Sequence, residues 1–130
     1  MGLAKHYRFQ VFNETGETLT TSDLRIIRKK LSNGQYSFES ALAEVLSTGG
    51  DSVSNNGYGN GTAQNNDSDG YLGLDGEFEG NVGSGTPSGV VSLIYQVSPD
   101  GTNWPDNGEG WVVAVLEFSA TGTLTTAASL

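Results

Sequence analysis

The 130-residue sequence contains no cysteine, only three prolines, and no lysine or arginine after residue 30. Without cysteine, the chain cannot form a disulfide, a thiolate zinc site, an iron–sulfur cluster or a thiol nucleophile. Without late basic residues, neither a catalytic lysine nor an arginine that clamps a phosphate can come from the rest of the chain. The longest apolar run, residues 111–116, is far shorter than the roughly 20 residues that span a bilayer.

The residues after Met1 also lack the apolar run of a signal peptide. We therefore expect a soluble protein, made in the cytoplasm of the cell that produces it, with no membrane partner. The length predicts one domain, since domains typically contain about 100–150 residues. Glycine is frequent, with 19 residues, but there is no Gly-X-Y repeat, which excludes a collagen.

The charges divide the chain at residue 30 into a basic segment and an acidic body. All six basic residues lie in the segment, with only the acids Glu14, Glu17 and Asp23, so its net charge is +3 (six minus three). The body carries the other 12 of the 15 acids. Because affinity for phosphate comes from Lys and Arg, this chain should repel nucleic acid, and we expect no nucleic-acid partner.

The first half of the chain gives mixed signals of secondary structure. Residues 5–12 alternate between apolar and polar side chains, which predicts a half-buried strand. Residues 24–31 fit a short helix or a strand, and we favour a strand because Asn33-Gly34 is the strongest short hairpin signal. Residues 37–46 have the apolar spacing of one short helix, with a strand as the alternative. Residues 47–70, rich in Gly and Asn, predict a long loop or an extended arm.

The second half gives the clearest strands, at residues 71–82, 90–97 and 111–118. The nearly continuous apolar run 90–97 predicts a central strand covered on both faces, paired antiparallel with 111–118 at the sheet centre. Residues 121–130 are predicted to be an extended tail. Short strands with glycine-rich turns indicate a mainly β protein, a single β-sandwich or jelly-roll-like domain over residues 1–130.

Two groups of residues suggest catalysis only weakly. His6 is the one histidine, and no nucleophile-elbow motif accompanies it, so we interpret it as a surface strand residue. Asp75, Glu77 and Glu79 have a spacing that a glycoside hydrolase could use, but a solvated acidic face is the favoured interpretation. We therefore predict that the protein is not an enzyme.

Two clusters of oxygen-bearing side chains suggest a calcium site. Residues 65–70 approximate the opening of a calcium loop, but Gly76 stands where the bidentate Glu of an EF-hand belongs. Asp100, Asn103 and Asp106 form the second cluster. Both are more simply turns, because Asn and Asp side chains bond their own backbone. We predict no metal site and no cofactor, and keep weak calcium binding as an alternative.

The candidate partner-binding site is the basic cluster of Arg25, Arg28, Lys29 and Lys30, together with Arg8 in the first strand. Such a run is often only a solvated face, and the alternative is contact with an acidic partner. Since the rest of this chain is acidic, a second copy fits that description, and we expect a homo-oligomer.

One pattern in the second half resembles a known class of protein. The pattern covers residues 69–78 and 89–105. At its core is a strand that ends in Ser98-Pro99-Asp100-Gly101-Thr102-Asn103-Trp104-Pro105, and an apolar strand, residues 110–118, follows. Over about residues 69–122 this pattern resembles small β-rich virion structural proteins of tailed bacteriophages, of the capsid decoration (cement) or tail-accessory type.

The resemblance implies a non-enzymatic virion protein, made in the host cytoplasm, that binds the major capsid protein or other virion proteins. A decoration protein would tie neighbouring capsid subunits together. The basic segment would dock on the capsid, the arm of residues 47–70 would become ordered on that surface, and the acidic face would project to solvent.

The alternative is a carbohydrate-binding or tail-accessory module of the phage tail, since the Ser-x-Asp-Gly-x-x-Trp motif also occurs in sugar-binding sandwiches. Trp104 would then stack on a glycan, in a platform with Tyr71, Tyr95 and Trp111. Tyr95 and Trp111 alternate as core residues, which counts against the platform and leaves Trp104 as the candidate.

Overall fold

The computed structural model describes residues 3–39, 43–47 and 52–130. These residues contain no helix, and hence none that is long and apolar enough to cross a membrane. They form ten strands, namely β1 (His6–Glu14), β2 (Thr21–Ser32), β3 (Gln35–Phe38), β4 (Ala43–Ser47), β5 (Tyr58–Asn60), β6 (Gln64–Asn65), β7 (Gly73–Val82), β8 (Gly89–Ser98), β9 (Trp111–Phe118) and β10 (Gly122–Ser129).

The strands form two antiparallel sheets that pack against each other. The first sheet has the order β5-β1-β8-β9, and β6 shares with β5 one edge of β1. The second sheet has the order β10-β7-β2-β3, and β4 shares with β3 one edge of β2. The buried apolar side chains of both sheets form one cluster between them. The predicted mainly β fold, a β-sandwich, is confirmed.

The core lies between the two sheets and contains the apolar positions of the alternating strands. In β1, Tyr7, Phe9 and Val11 are fully buried, as their alternation predicts. The ring of Tyr95 in β8 lies 5.8 Å from the ring of Tyr7 and 5.7 Å from that of Phe9, measured between centroids. The second sheet contributes the buried side chains Leu24, Ile26, Leu74, Phe78 and Val82.

Strand β8 is buried on both faces, as its continuous apolar pattern predicts. Its outer face is covered by the loop of residues 99–110, which folds back over the first sheet. The side-chain amide of Gln96 donates to the backbone carbonyls of Asp106 and Glu109, at 3.2 and 2.9 Å. These bonds satisfy a buried polar side chain and hold the loop in place.

The predicted central position of residues 111–118 is wrong, because β9 is the edge strand of the first sheet. It pairs with β8 as expected, but no other described strand lies beside it. Trp111, which we predicted to be a core residue, is 52% exposed. It begins an edge strand, with the ring of Tyr95 centred 6.1 Å away on one side and solvent on the other.

The predicted helix at residues 37–46 is also wrong, although residues 40–42 lie outside the described residues. Its two ends belong to β3 and β4, which both pair with β2. Asn33 and Gly34 have φ angles of 51° and 78°, as a two-residue type I′ hairpin requires. This turn directs the chain back along β2, whose unpaired backbone groups outweigh the local helical spacing of the apolar residues.

Residues 121–130 form a strand where the sequence predicts an extended tail. Strand β10 pairs with β7 along its whole length, and two glycines of β7 lie opposite apolar residues of β10. Leu124 is opposite Gly80, and Ala128 is opposite Gly76. A Cβ atom added at Gly80 would lie 2.9 Å from Leu116 Cδ1 of β9, so glycine at this position permits the close approach of the first sheet.

The described part of the predicted arm, residues 52–70, lies against the chain's own first sheet. Its strands β5 and β6 pair with β1, and the ring of Tyr58 stacks on that of Phe12 at a centroid distance of 4.4 Å. Val53 forms a β-bridge with Leu19, and both side chains are buried. These contacts order the segment within the chain, so it does not need a partner's surface as we expected. Residues 48–51 lie outside the described residues.

Candidate partner-binding surface

The end of the β2–β3 hairpin extends past the neighbouring strand of its sheet. Strand β2 continues to Ser32, but its pairing with β7 stops at Lys29, opposite Gly73. The two-residue turn fixes the register beyond that point, so that Leu31 is opposite Tyr36 and Lys29 is opposite Phe38. The residues that continue past β7 therefore have only each other as strand partners in the described part of the chain.

Three large apolar side chains are exposed on one face of this hairpin. Leu31, Tyr36 and Phe38, here called the hairpin patch, are 56%, 62% and 54% exposed. Directly opposed residues of antiparallel strands lie on the same face, so the hairpin patch and Lys29 share a surface. The ammonium of Lys29 lies 5.8 Å from the centroid of the Tyr36 ring. The surface combines an apolar centre with a positive charge at its margin.

Arg28, one of the predicted site residues, is held within the fold. Its guanidinium Nη2 donates to Oε2 of Glu39 at 2.8 Å, and its backbone N–H donates to Oε1 of the same carboxylate at 2.7 Å. The guanidinium also lies over the ring of Tyr71, 4.5 Å from its centroid. These bonds from Arg28 hold the pKa of Glu39 below its usual range. Arg28 therefore contributes to the structure of the hairpin and offers little charge to a partner.

The buried phenol of Tyr7 lies close to this ion pair. Burial raises the pKa of Tyr7 to about 12, although the positive charge of Arg28 acts in the opposite direction. Tyr7 is thus neutral throughout the physiological pH range. The inner side of the hairpin base therefore consists of the aromatic rings of Tyr7 and Tyr71 and the ion pair of Arg28 with Glu39.

The other basic residues of the predicted site differ in how much of their positive charge a partner could contact. Arg25 forms an exposed ion pair with Glu44 at 3.7 Å, and the partly buried Lys29 forms an ion pair with Asp75 at 3.3 Å. Lys30 is exposed and lies over the ring of Tyr71, with 5.4 Å between its ammonium and the ring centroid. The segment is therefore less positive toward a partner than its composition predicts, because acids of the same chain neutralise much of its charge.

Arg8 is separated from the hairpin and lies on the first sheet instead. Its Nε donates to Oε1 of Gln96 at 2.9 Å, and its guanidinium lies 4.7 Å from the ring centroid of Trp104. The residue predicted to bind a partner and the residue predicted to stack on a glycan thus contact each other. The predicted glycan platform does not form as a group, because Tyr95 is buried.

The two oxygen-rich segments are organised as turns. The carboxylate of Asp100 accepts the backbone N–H groups of Thr102 and Asn103, at 2.9 and 2.8 Å, and the side-chain amide of Asn103 at 2.6 Å. These bonds hold the pKa of Asp100 well below its usual range. Asn66 closes the other segment through two bonds of 2.9 Å with the backbone of Tyr71. Among the described residues, no three His, Asp or Glu side chains are placed to hold a metal ion.

The carboxylates of β7 lie on the flat outer face of the second sheet. Glu77 is opposite Arg25 of β2, and Asp75 binds Lys29 and accepts a hydrogen bond from the hydroxyl of Ser129 at 3.0 Å. A depression of about 60 Å³ is lined by Asp23, Arg25, Glu77 and Glu79. It is much smaller than the roughly 300–1,000 Å³ of a small-molecule site.

Comparisons of this chain with protein-family models, with curated proteins and with solved structures found no match. The surface is therefore interpreted from its own residues. Sequence reasoning missed the hairpin patch, because it assigned Phe38 to a helix and weighed the charges of residues 25–30 more than their apolar neighbours. The signal that could have found it is Asn33-Gly34, since a two-residue turn places Tyr36 opposite Leu31.

Proposed function

We propose that this chain is a non-enzymatic structural protein of a phage particle, a capsid decoration protein that attaches to the capsid through the hairpin patch. The hairpin patch supports the proposal most directly, because it exposes three large apolar side chains together at one end of the molecule. Apolar side chains grouped in this way on a folded domain typically mark a contact with another protein. The phage particle itself is inferred from the resemblance over about residues 69–122.

The charges around the hairpin patch define the chemistry of the partner. Lys29, whose ammonium is paired with Asp75, borders the patch on its own face, and the exposed Lys30 lies on the other face of the same hairpin. The body of the chain after residue 30 has no basic residue. A capsid surface with an apolar depression and acidic residues around it would complement the hairpin and would repel the rest of the domain. This asymmetry would give every attached copy the same orientation.

The location is tested by counting copies of this chain in particles from cells that produce it. Particles purified by density gradient would be analysed by quantitative mass spectrometry, with the major capsid protein as internal standard. We expect hundreds of copies per particle. A dozen copies or fewer would place the protein in the tail or neck and contradict decoration, and absence from the particles would overturn the virion assignment.

The attachment surface is tested with a double variant, Tyr36→Ser/Phe38→Ser. Both side chains are more than half exposed, so the fold should survive, and the bound fraction on particles that lack the protein should fall at least tenfold. The matched control is Val112→Ser, which removes an apolar side chain of 60% exposure from β9 in the other sheet. Equal binding of the double variant and the control would show that the hairpin patch is not the attachment surface.

A further inference from the structure

The four sheet edges of the described residues differ in how well they are protected against pairing with another strand. On one side of the sandwich the edges are short pieces, β5 with β6 and β3 with β4. On the other side, β9 carries Glu117 and an irregular register with β8, two features that discourage edge pairing. Strand β10 is the exception, since it has eight residues, a regular register, no charge and no proline.

The hydrogen bonds of β10 show which backbone groups face its free edge. Leu130 and Leu74 exchange two backbone hydrogen bonds of 2.9 Å, which makes them a hydrogen-bonded pair. Such pairs alternate along an antiparallel ladder, so the even-numbered residues of β10 bond to β7. The N–H and C=O groups that point to the free edge therefore belong to the odd-numbered residues, Thr123, Thr125, Ala127 and Ser129. No other described strand pairs with this edge.

We propose that two copies of this chain associate through their β10 edges, as an antiparallel pair around a two-fold axis at Thr126. In this register Thr123 lies opposite Ser129 of the second copy, and Thr125 lies opposite Ala127 of the second copy. Every backbone group that points to the free edge between Thr123 and Ser129 then has a hydrogen-bond partner. The two second sheets become one continuous sheet across the dimer.

The side chains of β10 also suit a second copy of the same strand. On the outer face the opposed residues are Thr, Ala and Ser, which are small enough to pair without a clash. On the inner face Leu124, which is 36% exposed, lies opposite Ala128 of the second copy. Pairing would therefore cover an apolar side chain that a single copy leaves partly exposed, at both ends of the interface.

The acidic residues nearest the edge are too far apart in this dimer to prevent it at physiological salt. Asp75, Glu77 and Glu79 lie on β7, one strand behind β10. The two β7 strands would be separated by three strand spacings, about 14 Å between backbones. This exceeds the Debye length of about 8 Å at physiological ionic strength, so the repulsion is largely screened. At low salt the same carboxylates should weaken the dimer.

The interface closes on itself, because each copy uses the one edge that is unprotected in the described part of the chain. A two-fold contact of this kind gives a dimer and no longer polymer. The inference does not rest on the proposed function, since it follows from β10 alone and would hold for a decoration protein or for any other use of the domain. The hairpin patch lies on the part of β2 that extends past β7, and the dimer leaves it uncovered.

Sedimentation equilibrium of the purified full chain between 1 and 100 µM, at 150 mM NaCl, tests the proposal. We expect a monomer–dimer equilibrium whose dissociation constant decreases when NaCl is raised from 10 to 300 mM. A chain that stays monomeric at 100 µM would overturn the proposal, as would an assembly larger than a dimer. A dissociation constant that increases with salt would also contradict it, because it would indicate attraction between the basic segment and the acidic body.

Two variants test the edge itself. Ala127→Pro removes an N–H that β10 does not use within its own sheet, and Ala127→Ser is the matched control that keeps this N–H. Thr125→Lys introduces the charge that usually protects an edge, and serves if the proline variant does not fold. We expect the dissociation constant to increase at least tenfold for Ala127→Pro and Thr125→Lys, with little change for Ala127→Ser. Dimers of unchanged strength in both disrupting variants would refute the β10 interface.

Discussion

Strand β2 contains two regions in which apolar residues meet opposite environments. Near its beginning, Leu24 and Ile26 are fully buried between the sheets, whereas Leu31 near its end is 56% exposed. The residue types are alike, but Leu24 and Ile26 are at even positions that face the first sheet, whereas Leu31 is at an odd position on the outer face of its sheet. We propose that the apolar residues of this chain serve two purposes, stability in the core and contact with a partner at the hairpin patch.

The largest expected effect comes from truncating matched phenylalanines in the two regions. Phe78→Ala leaves a cavity in the core and should lower the free energy of unfolding by about 3–5 kcal/mol. Phe38→Ala, at a residue 54% exposed, should change it by no more than about 0.5 kcal/mol. Urea unfolding followed by tryptophan fluorescence measures both. Similar losses for the two variants would mean that the hairpin patch is part of the core, and the comparison would fail.

A smaller effect is expected from the ion pairs of the hairpin region. Glu39→Ala removes both bonds that Arg28 makes to this carboxylate and should cost about 1.5–3 kcal/mol, because the charged partner stays largely buried. Glu44→Ala breaks the exposed pair with Arg25 and should cost less than about 1 kcal/mol. Unfolding curves of the two variants give the difference. A Glu39→Ala variant as stable as Glu44→Ala would contradict the structural role assigned to Arg28.

The smallest effect is expected from pH, since a protonated Glu39 can still accept a hydrogen bond from Arg28. The pKa of Glu39 is lower in the folded chain than in the unfolded chain, where it is about 4.3. The unfolded state therefore binds the proton first as the pH falls, and this contribution to stability is present above about pH 4.3 and lost below it. The gap in unfolding free energy between the wild type and Glu39→Gln should be constant from pH 5 to 8 and should narrow below pH 4. A gap that widens in acid would reverse the assigned sign.

Much of the sandwich could be predicted because its signals are local. The alternation in β1, the continuous apolar run in β8 and the Asn33-Gly34 turn each identify their element from a few neighbouring residues. The outer acidic face of β7 follows from the same alternation. The pattern of each of these elements lies within its own residues, so they could be located without knowing which strands lie beside them.

The remaining features depend on contacts between distant residues. The apolar spacing of residues 37–46 fits a helix, and only the free edge of β2 makes its ends strands. The weak pattern of β10 becomes a strand because its backbone pairs with β7 along its whole length. The exposure of Trp111 depends on the edge position of β9, which no short stretch of sequence encodes. The hairpin patch is exposed because its residues lie on the outer face of the second sheet. The charge count of residues 1–30 likewise overestimated the positive charge of the predicted site, because the acidic residues that pair with it come from later parts of the chain.

The hairpin patch is the surface by which we propose that the chain attaches to a capsid. Backbone hydrogen exchange, compared between the free chain and the chain bound to particles, tests this proposal most directly. Binding should slow the exchange of residues 30–38 and leave the exchange of β7 unchanged. Exchange that slows in the loop of residues 99–110 or on β7, with residues 30–38 unaffected, would contradict the account.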